Sequence, residues 1–288
     1  MIMIVLNEKV FAESCLENGL NGNKPFFVLS ILSRYFYHSC GMKKKAIAAA
    51  LKKYLDDYYP RYEIDNYNWP ETIEKLAANA GKYPLFEISG VKITKSEMAV
   101  IESIHDKVLE RLCFTMLCLA KLNNLKNQKN NGWVNMDSKE IFRLARISCS
   151  TTDREVRIGK LWKLGLVEFS KRNDNLNCRI TFFDDGDEEL FITDFRELGY
   201  EYLLYKGQNF IRCAECGVLT RGNKAGTKKY CKNCADYTPQ ETKKIICTDC
   251  GKEVLVPGDN KRTIRCRNCQ LAINREKKRV WKQNNIKE

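Results

Sequence analysis

Apolar residues recur at helical spacing along much of the first 205 residues of this 288-residue chain. In the first third, this periodicity predicts helices over residues 26–37 and 43–59, and a further helix that starts at Pro70. The same stretch holds no motif with recognisable chemistry. We therefore predict an α-helical N-terminal domain over residues 1–92.

Helix-capping signals divide the next segment, residues 93–183. Thr94-Lys-Ser-Glu97 has the spacing at which a threonine oxygen and a glutamate carboxylate each accept a hydrogen bond from a free helix N–H. Similar signals begin at Asp137 and Ser150, and alternating residues later in the segment predict two strands. The predicted elements are a helix reaching about residue 122, helices over 140–146 and 151–164, and strands over 167–171 and 178–182.

This order of elements, together with Gly165-Leu-Val-Glu-Phe169, resembles a winged helix-turn-helix domain. The resemblance makes the third helix a recognition helix, with Ile158, Leu161 and Trp162 facing the core and basic residues facing away. It implies nucleic-acid contacts from the helix and the wing. A basic helix face also occurs on an ordinary solvated helix, and many winged helices dock on proteins. The residues concerned are Arg157, Lys160, Lys163, Lys171 and Arg172.

Residues 184–211 have an acidic run, residues 184–189, followed by a predicted helix over 194–205. The run lacks the regular spacing of calcium ligands. We interpret the segment as a connector with a solvated turn.

Eight of the fourteen cysteines form four Cys-x-x-Cys pairs near the C-terminus. Two residues between cysteines allow one turn to present both sulfurs to a tetrahedral ion. The pairs form two groups with spacers of fourteen and fifteen residues, so the pattern is duplicated. We predict two structural zinc ions, bound by Cys213, Cys216, Cys231 and Cys234 and by Cys247, Cys250, Cys266 and Cys269. The other six cysteines are predicted to be buried thiols.

The two groups resemble zinc ribbons or treble-clef fingers, and we assign them to residues 212–240 and 245–288. In such families the metal is structural, because four thiolates leave no open position for water. Modules this small bury too little surface to fold without metal. A helix predicted over residues 270–284, starting at the last cysteine pair, favours a treble clef in the second module.

Positive charge is concentrated in the same region, because residues 206–288 carry 12 of the 13 net positive charges. Two zinc-tetrathiolate sites would lower this value by four. Within the predicted C-terminal helix, basic residues recur at i, i+3, i+4 and i+7 and form one continuous stripe. We expect Ile273, Val280 and Trp281, which lie off this stripe, to pack on the finger. A basic stripe on a metal-held platform suits phosphate binding, although a solvated terminal helix has the same composition. The predicted contacts are Lys261, Arg262, Arg265, Arg267, Arg275, Lys278, Arg279 and Lys282.

Other function classes find less support in the sequence. No apolar run approaches the ~20 residues of a membrane helix, and no signal peptide is recognisable, so we predict a cytoplasmic protein without membrane contact. Only two histidines occur, His38 and His105, both far from the cysteines, and no catalytic set can be assembled around them. We therefore do not expect an enzyme.

The leading hypothesis is a mainly α, zinc-containing protein that binds double-stranded DNA as a transcriptional or replication-associated regulator. In style it resembles small zinc-finger proteins of phages and mobile elements in low-GC bacteria. Two alternatives remain. One is an adaptor that docks on host machinery such as RNA polymerase, through the N-terminal helices or the fingers, and the other is an RNA-binding protein.

Overall fold

The computed structural model describes residues 4–20, 22–59, 67–170, 177–235, 242–257 and 262–285. Helices dominate, and the strands form four two-stranded sheets within these ranges, as expected for a mainly α protein. The chain divides into two compact units. The first, called here the helical unit, comprises residues 1–211 and 218–224, and the second, the cysteine unit, comprises residues 212–217 and 225–288. None of the described helices combines the length and the apolar character that crossing a membrane requires.

Four helices form the first part of the helical unit: α1 (Glu8–Asn18), α2 (Pro25–His38), α3 (Lys44–Tyr58) and α4 (Trp69–Asn79). Their shared core is a cluster of buried side chains that includes Leu29, Leu32, Leu51 and Leu55. The three predicted helices are confirmed, with each predicted end shifted by one residue. The first helix was not predicted, because it buries only a few residues and its apolar periodicity is correspondingly weak.

A second core is centred on α6 (Lys107–Lys126), which follows β1 (Val91–Thr94) and α5 (Lys95–Glu102). The predicted helix from Thr94 to about residue 122 is therefore wrong as a single element. The side chain of Asp106 accepts hydrogen bonds from the N–H groups of Val108 and Leu109 at 2.9 and 3.1 Å, and so caps a new helix. His105, just before it, has a positive φ of 54°, which ends the preceding helical path.

The next elements are α7 (Ser138–Leu144), α8 (Thr151–Lys163), β2 (Val167–Phe169) and β3 (Cys178–Ile180). The predicted order is confirmed, with shorter strands. Ser150 and Asp153 form the predicted capping box of α8. Strands β2 and β3 pair antiparallel, with Val167 opposite Ile180, and residues 132–134 add hydrogen bonds along the other edge of β3.

Residues 184–211 contribute β4 (Glu188–Ile192) and α9 (Leu198–Tyr205) to this second core. Strand β4 pairs antiparallel with β1, so Val91 lies opposite Ile192. Tyr202 is buried against Phe114 of α6, and its hydroxyl donates to the Glu110 carboxylate at 2.8 Å. The segment predicted as a connector thus supplies packed elements of the helical unit.

A buried carboxylate, Glu97, joins three of these elements. The ammonium group of Lys121 donates to its two oxygens at 2.7 and 2.9 Å, and the N–H groups of Thr94 and Asp184 donate at 2.8 and 3.0 Å. The side chain of Glu97 is only 1% exposed. Asp184 is exposed and accepts a hydrogen bond from Ser96, and this bond, with others from Thr94 and the Gly186 N–H, lowers the pKa of its carboxyl to about 2.

The remaining elements surround the cysteines: β5 (Phe210–Arg212), β6 (Leu219–Arg221), α10 (Lys232–Ala235), β7 (Thr242–Ile246), β8 (Glu253–Pro257) and α11 (Arg267–Asn285). Strands β5 and β6 pair with each other, as do β7 and β8. Phe210 and Leu219 pack together with Leu203 in a small cluster of their own.

Candidate metal centre

The first cysteine pair of each group lies in a hairpin turn, between β5 and β6 or between β7 and β8. Gly217 and Gly251 close these turns with φ values of 68° and 69°, a left-handed conformation that glycine adopts without steric cost. Their N–H groups donate to the carbonyls of Cys213 and Cys247 at 2.9 and 3.0 Å. The two turns therefore have the same backbone geometry.

The second cysteine pair of each group lies at the start of a helix. Helix α10 begins directly after Cys231, and α11 begins directly after Cys266. The N–H of the residue four positions later donates to the carbonyl of that cysteine, from Ala235 at 2.9 Å and from Gln270 at 3.0 Å. In both groups the first helical turn thus holds the second cysteine of the pair.

A further pair of equivalent hydrogen bonds joins each hairpin turn to the segment before the helix. The N–H of Ala214 donates to the carbonyl of Lys229 at 2.9 Å, and the N–H of Thr248 donates to that of Ile264 at 3.0 Å. The duplication seen in the cysteine spacing therefore extends to the backbone. The modules differ in helix length, because α10 has 4 residues and α11 has 19.

The four sulfur atoms of each group lie within 4.8 Å of one another. The Sγ atoms of Cys216 and Cys231 are 3.7 Å apart, and so are those of Cys250 and Cys266. A tetrahedral ion bound at ~2.3 Å by four sulfurs separates them by about 3.8 Å, whereas a disulfide needs about 2.05 Å. The donor set and its spacing fit zinc, and each group could hold one ion.

Hydrogen bonds favour the thiolate form of one cysteine in the first group and of two in the second, where the backbone N–H of Cys269 lowers the pKa of Cys266. Backbone N–H groups, led by that of Cys216, lower the pKa of Cys213 to about 6, and backbone N–H groups led by that of Cys266 lower the pKa of Cys247 to about 6. The last cysteine of each group has a raised pKa, because hydrogen bonds with neighbouring cysteine sulfurs favour its protonated form. A divalent cation would compensate the repulsion among four adjacent thiolates.

The six cysteines outside the groups were all predicted to be buried. Cys15, Cys113, Cys118 and Cys178 are buried, and burial raises the pKa of each thiol. The prediction is wrong for Cys40, which is exposed, and for Cys149, which is half-buried. Both follow a helix, where the periodicity used for the prediction no longer applies.

The predicted basic stripe lies on α11. Arg275, Lys278 and Arg279 are exposed. Lys282 belongs to the same helix, and only its backbone is described. Arg279 also forms an exposed ion pair with Glu276 at 3.2 Å. The interpretation that apolar residues of this helix pack on the finger is wrong for two of them, because the side chain of Val280 is 45% exposed and that of Trp281 is 67% exposed.

The predicted face of α8 is present in part. Lys160 and Lys163 are exposed, Arg157 is half-buried, and Ile158 and Leu161 are fully buried. Trp162 was expected in the core, but it is 52% exposed and lies beside the ring of Phe169, 6.2 Å between centroids. The buried face of α8 is narrow, so a side chain about 40° away from Ile158 already lies outside it.

The other predicted contacts have different surroundings. Arg265 donates to the Asp249 carboxylate at 2.8 Å, which partly neutralises its charge. Arg262 and Arg267 are exposed. Lys171, Arg172 and Lys261 lie outside the described residues.

Sequence reasoning missed two arginines of the helical unit, Arg111 and Arg154. The Nε–H group of each is buried and has no hydrogen-bond partner among the described residues. The one sequence signal for either arginine is a charged residue on the inward-facing side of a helix. Which side of the helix faces inward is known only from the packing.

No protein-family model, curated protein or solved structure matches this chain.

Proposed function

We propose that this protein binds nucleic acid, and double-stranded DNA in particular, as a regulator of transcription or replication, with two zinc ions in structural roles. The observation that carries the proposal is α11, an exposed basic helix that begins at the second cysteine group. Its 19 residues correspond to a length of about 28 Å. A helix of this kind fits the major groove of B-DNA, which is about 12 Å wide.

The cysteine group supplies the support that such a helix needs. Most helices in proteins owe their stability to tertiary packing, but α11 is mostly exposed, so packing stabilises it little. Cys266 and Cys269 fix its first turn if they share a metal with Cys247 and Cys250. A knuckle in the turn of the β7–β8 hairpin, followed by a helix that starts at the second cysteine pair, resembles a treble clef more closely than a plain ribbon.

The helical unit offers a second surface for the same function. Three helices followed by the β2–β3 hairpin, with residues 132–134 along its free edge, support the resemblance to a winged helix-turn-helix. In that arrangement α8 is the recognition helix, and its exposed Lys160 and Lys163 face a nucleic acid.

The test is binding of the full-length, zinc-loaded chain to a DNA duplex at several salt concentrations, measured by fluorescence anisotropy. The test variant replaces Arg275, Lys278, Arg279 and Lys282 by alanine. The control variant removes the same charge from exposed positions of the helical unit, namely Lys24, Lys53, Lys82 and Lys129.

Affinity should fall with rising salt, and the slope of log K against log salt should decrease by about 0.9 for each phosphate that the test variant no longer neutralises. The control variant should keep most of the slope. Absence of binding to duplex, single strand or structured RNA at low salt would end the proposal. Competition between duplex DNA and structured RNA separates DNA binding from RNA binding.

A second candidate function is a protein-binding adaptor, favoured by two exposed apolar residues that are adjacent on α11, Val280 and Trp281. Exposed large apolar side chains close together mark interaction surfaces. A stoichiometric protein partner that survives nuclease treatment, and that no longer binds the Trp281→Ala variant, would support the adaptor. Loss of DNA affinity in the same variant without any partner would support DNA binding.

A further inference from the structure

The helical unit contains an open groove with a volume of about 520 Å³, called here the cavity, that the nucleic-acid proposal does not use. It lies between α7, the α7–α8 turn, the start of α8 and the start of α9. This volume is within the range of about 300–1,000 Å³ that small-molecule sites occupy. Its walls combine aromatic and aliphatic surface from Phe142, Ile147 and Tyr200 with basic groups.

Close packing of α9 against the end of α7 forms one wall. A Cβ atom at Gly199 would overlap the backbone carbonyl of Ala145, so only glycine permits this approach. The approach places Tyr200 at the cavity, with the guanidinium of Arg146 5.2 Å from its ring centroid. Arg146 has a φ of 55°, at a position after a helix where glycine is usual. Arg146 therefore occupies a strained left-handed backbone position that glycine would adopt without strain.

The cavity is strongly basic. Lys139, Arg143, Arg146 and Arg154 line it, and no carboxylate belongs to the described residues of its lining. Arg143 is paired with Glu140 at 2.8 Å, and Arg146 is paired with Glu197. These pairs hold the two guanidinium groups in place, while Lys139 and Arg154 have no ion pair among the residues that the structure describes.

Arg154 carries the strongest indication of a ligand. Its Nη2 donates to the Thr151 hydroxyl at 2.7 Å, but its Nε–H is buried and lacks an acceptor among the described residues. A buried donor without a partner destabilises the folded state, and an anionic ligand beside this guanidinium would offset that cost.

The surroundings of Tyr200 extend the positive region. Arg111 lies near enough to Tyr200, Arg221 and Arg157 to interact electrostatically, and its own Nε–H is buried without a partner in the described part of the chain. Burial lowers the pKa of Arg111, and the charges of Arg221 and Arg157 lower it further. An anion nearby would relieve this repulsion.

We propose that this cavity binds a small molecule that carries a phosphate group. Guanidinium groups match phosphate oxygens with paired N–H donors, and Arg154 contributes one such group to the lining of the cavity. The apolar walls and the volume leave space for an organic part, such as a nucleoside. The site is independent of α11, so failure of either proposal leaves the other standing.

Cys149 lines the cavity and is half-buried, so its alkylation reports occupancy. The zinc-loaded full-length chain is treated briefly with iodoacetamide, and peptide mass spectrometry compares Cys149 with the exposed Cys40 as an internal control. The probes are pyrophosphate, ATP, adenosine, and a DNA duplex at the same phosphate concentration.

Pyrophosphate and ATP should slow the modification of Cys149, but not of Cys40, by about tenfold at ten times the dissociation constant. Adenosine should have no effect. Arg154→Met should abolish the protection, and so should Lys139→Ala, whose side chain is exposed and whose loss does not disturb the core. Arg196→Met, which removes the same charge from an exposed site outside the cavity, should keep it.

Lack of protection by both phosphate probes would overturn the proposal. Equal protection in the wild-type chain and in both cavity variants would also overturn it. Protection by the DNA duplex alone would assign the cavity to the nucleic-acid surface and exclude a small-molecule site.

Discussion

Two glycine-to-alanine substitutions in the helical unit should have opposite effects on its stability. At Gly159 in α8, a Cβ atom would meet nothing within 4 Å. Alanine there should stabilise the folded state by about 0.5–1 kcal/mol, since glycine is a poor helix former. At Gly199 in α9, a Cβ would lie 3.0 Å from the Cα of Ala145 and would overlap its carbonyl.

The overlap at Gly199 is with backbone, so α9 must move away from α7. Overpacking of this kind costs about 1–3 kcal/mol. The two variants should therefore differ by about 1.5–4 kcal/mol. With a urea dependence of about 2 kcal/mol per M, their unfolding midpoints should be about 0.8–2 M apart.

Urea unfolding of the zinc-saturated chain, followed by tryptophan fluorescence, measures this difference. Trp69, Trp133 and Trp162 lie in the helical unit, so they dominate the signal. A shift of both midpoints in the same direction would refute the packing argument. So would a Gly199→Ala variant within about 0.5 kcal/mol of the wild type, the usual scatter for substitutions without a structural effect.

Three other predictions follow from individual side chains. Glu97→Gln breaks a buried ion pair and should lower the free energy of unfolding, measured with urea, by about 3–5 kcal/mol. The control Glu102→Gln breaks an exposed pair and should lower it by less than about 1 kcal/mol. Similar losses in the two variants would contradict the burial argument. Cys250→Ser should reduce the zinc content from two ions per chain to one by elemental analysis, with Cys40→Ser as the unchanged control. The folded-state pKa of Asp184, about 2, is below its unfolded value of about 3.9, so its stabilising contribution is present above pH 4 and is lost as the pH falls towards 2. The stability difference between wild type and Asp184→Asn should therefore shrink from pH 5 towards pH 2, and a constant difference would contradict the assignment.

Local sequence patterns predicted the features whose partners are close along the chain. The capping box at Ser150 and Asp153 needs residues three positions apart, and it is present. The cysteine groups depend on turns two residues long and on spacers shorter than sixteen residues, so spacing alone indicated which sulfurs meet. The apolar periodicity continues past Asp106, so it predicted one helix where there are two. The side chain of Asp106 caps the second helix and separates it from the first.

Helix faces were predicted less well, because the neighbours of a helix decide how wide its buried face is. At Trp162 and Trp281 the apolar side chain was expected inside and is exposed. A period of 3.6 residues gives the direction in which a side chain points from the helix axis. It does not show how far the neighbouring elements cover that side of the helix.

By itself, the sequence determined the two cysteine groups, most of the helices and the basic character of the C-terminal helix. Tertiary structure decided the pairing of β1 with β4, in which Val91 lies opposite Ile192, and the cavity that both Arg154 and Tyr200 line. These contacts join residues far apart in the chain, and their formation depends on burial of apolar surface across many elements together. A short-range sequence pattern does not contain the combined burial of many elements, so the strand pairing and the cavity could be identified only from the folded chain.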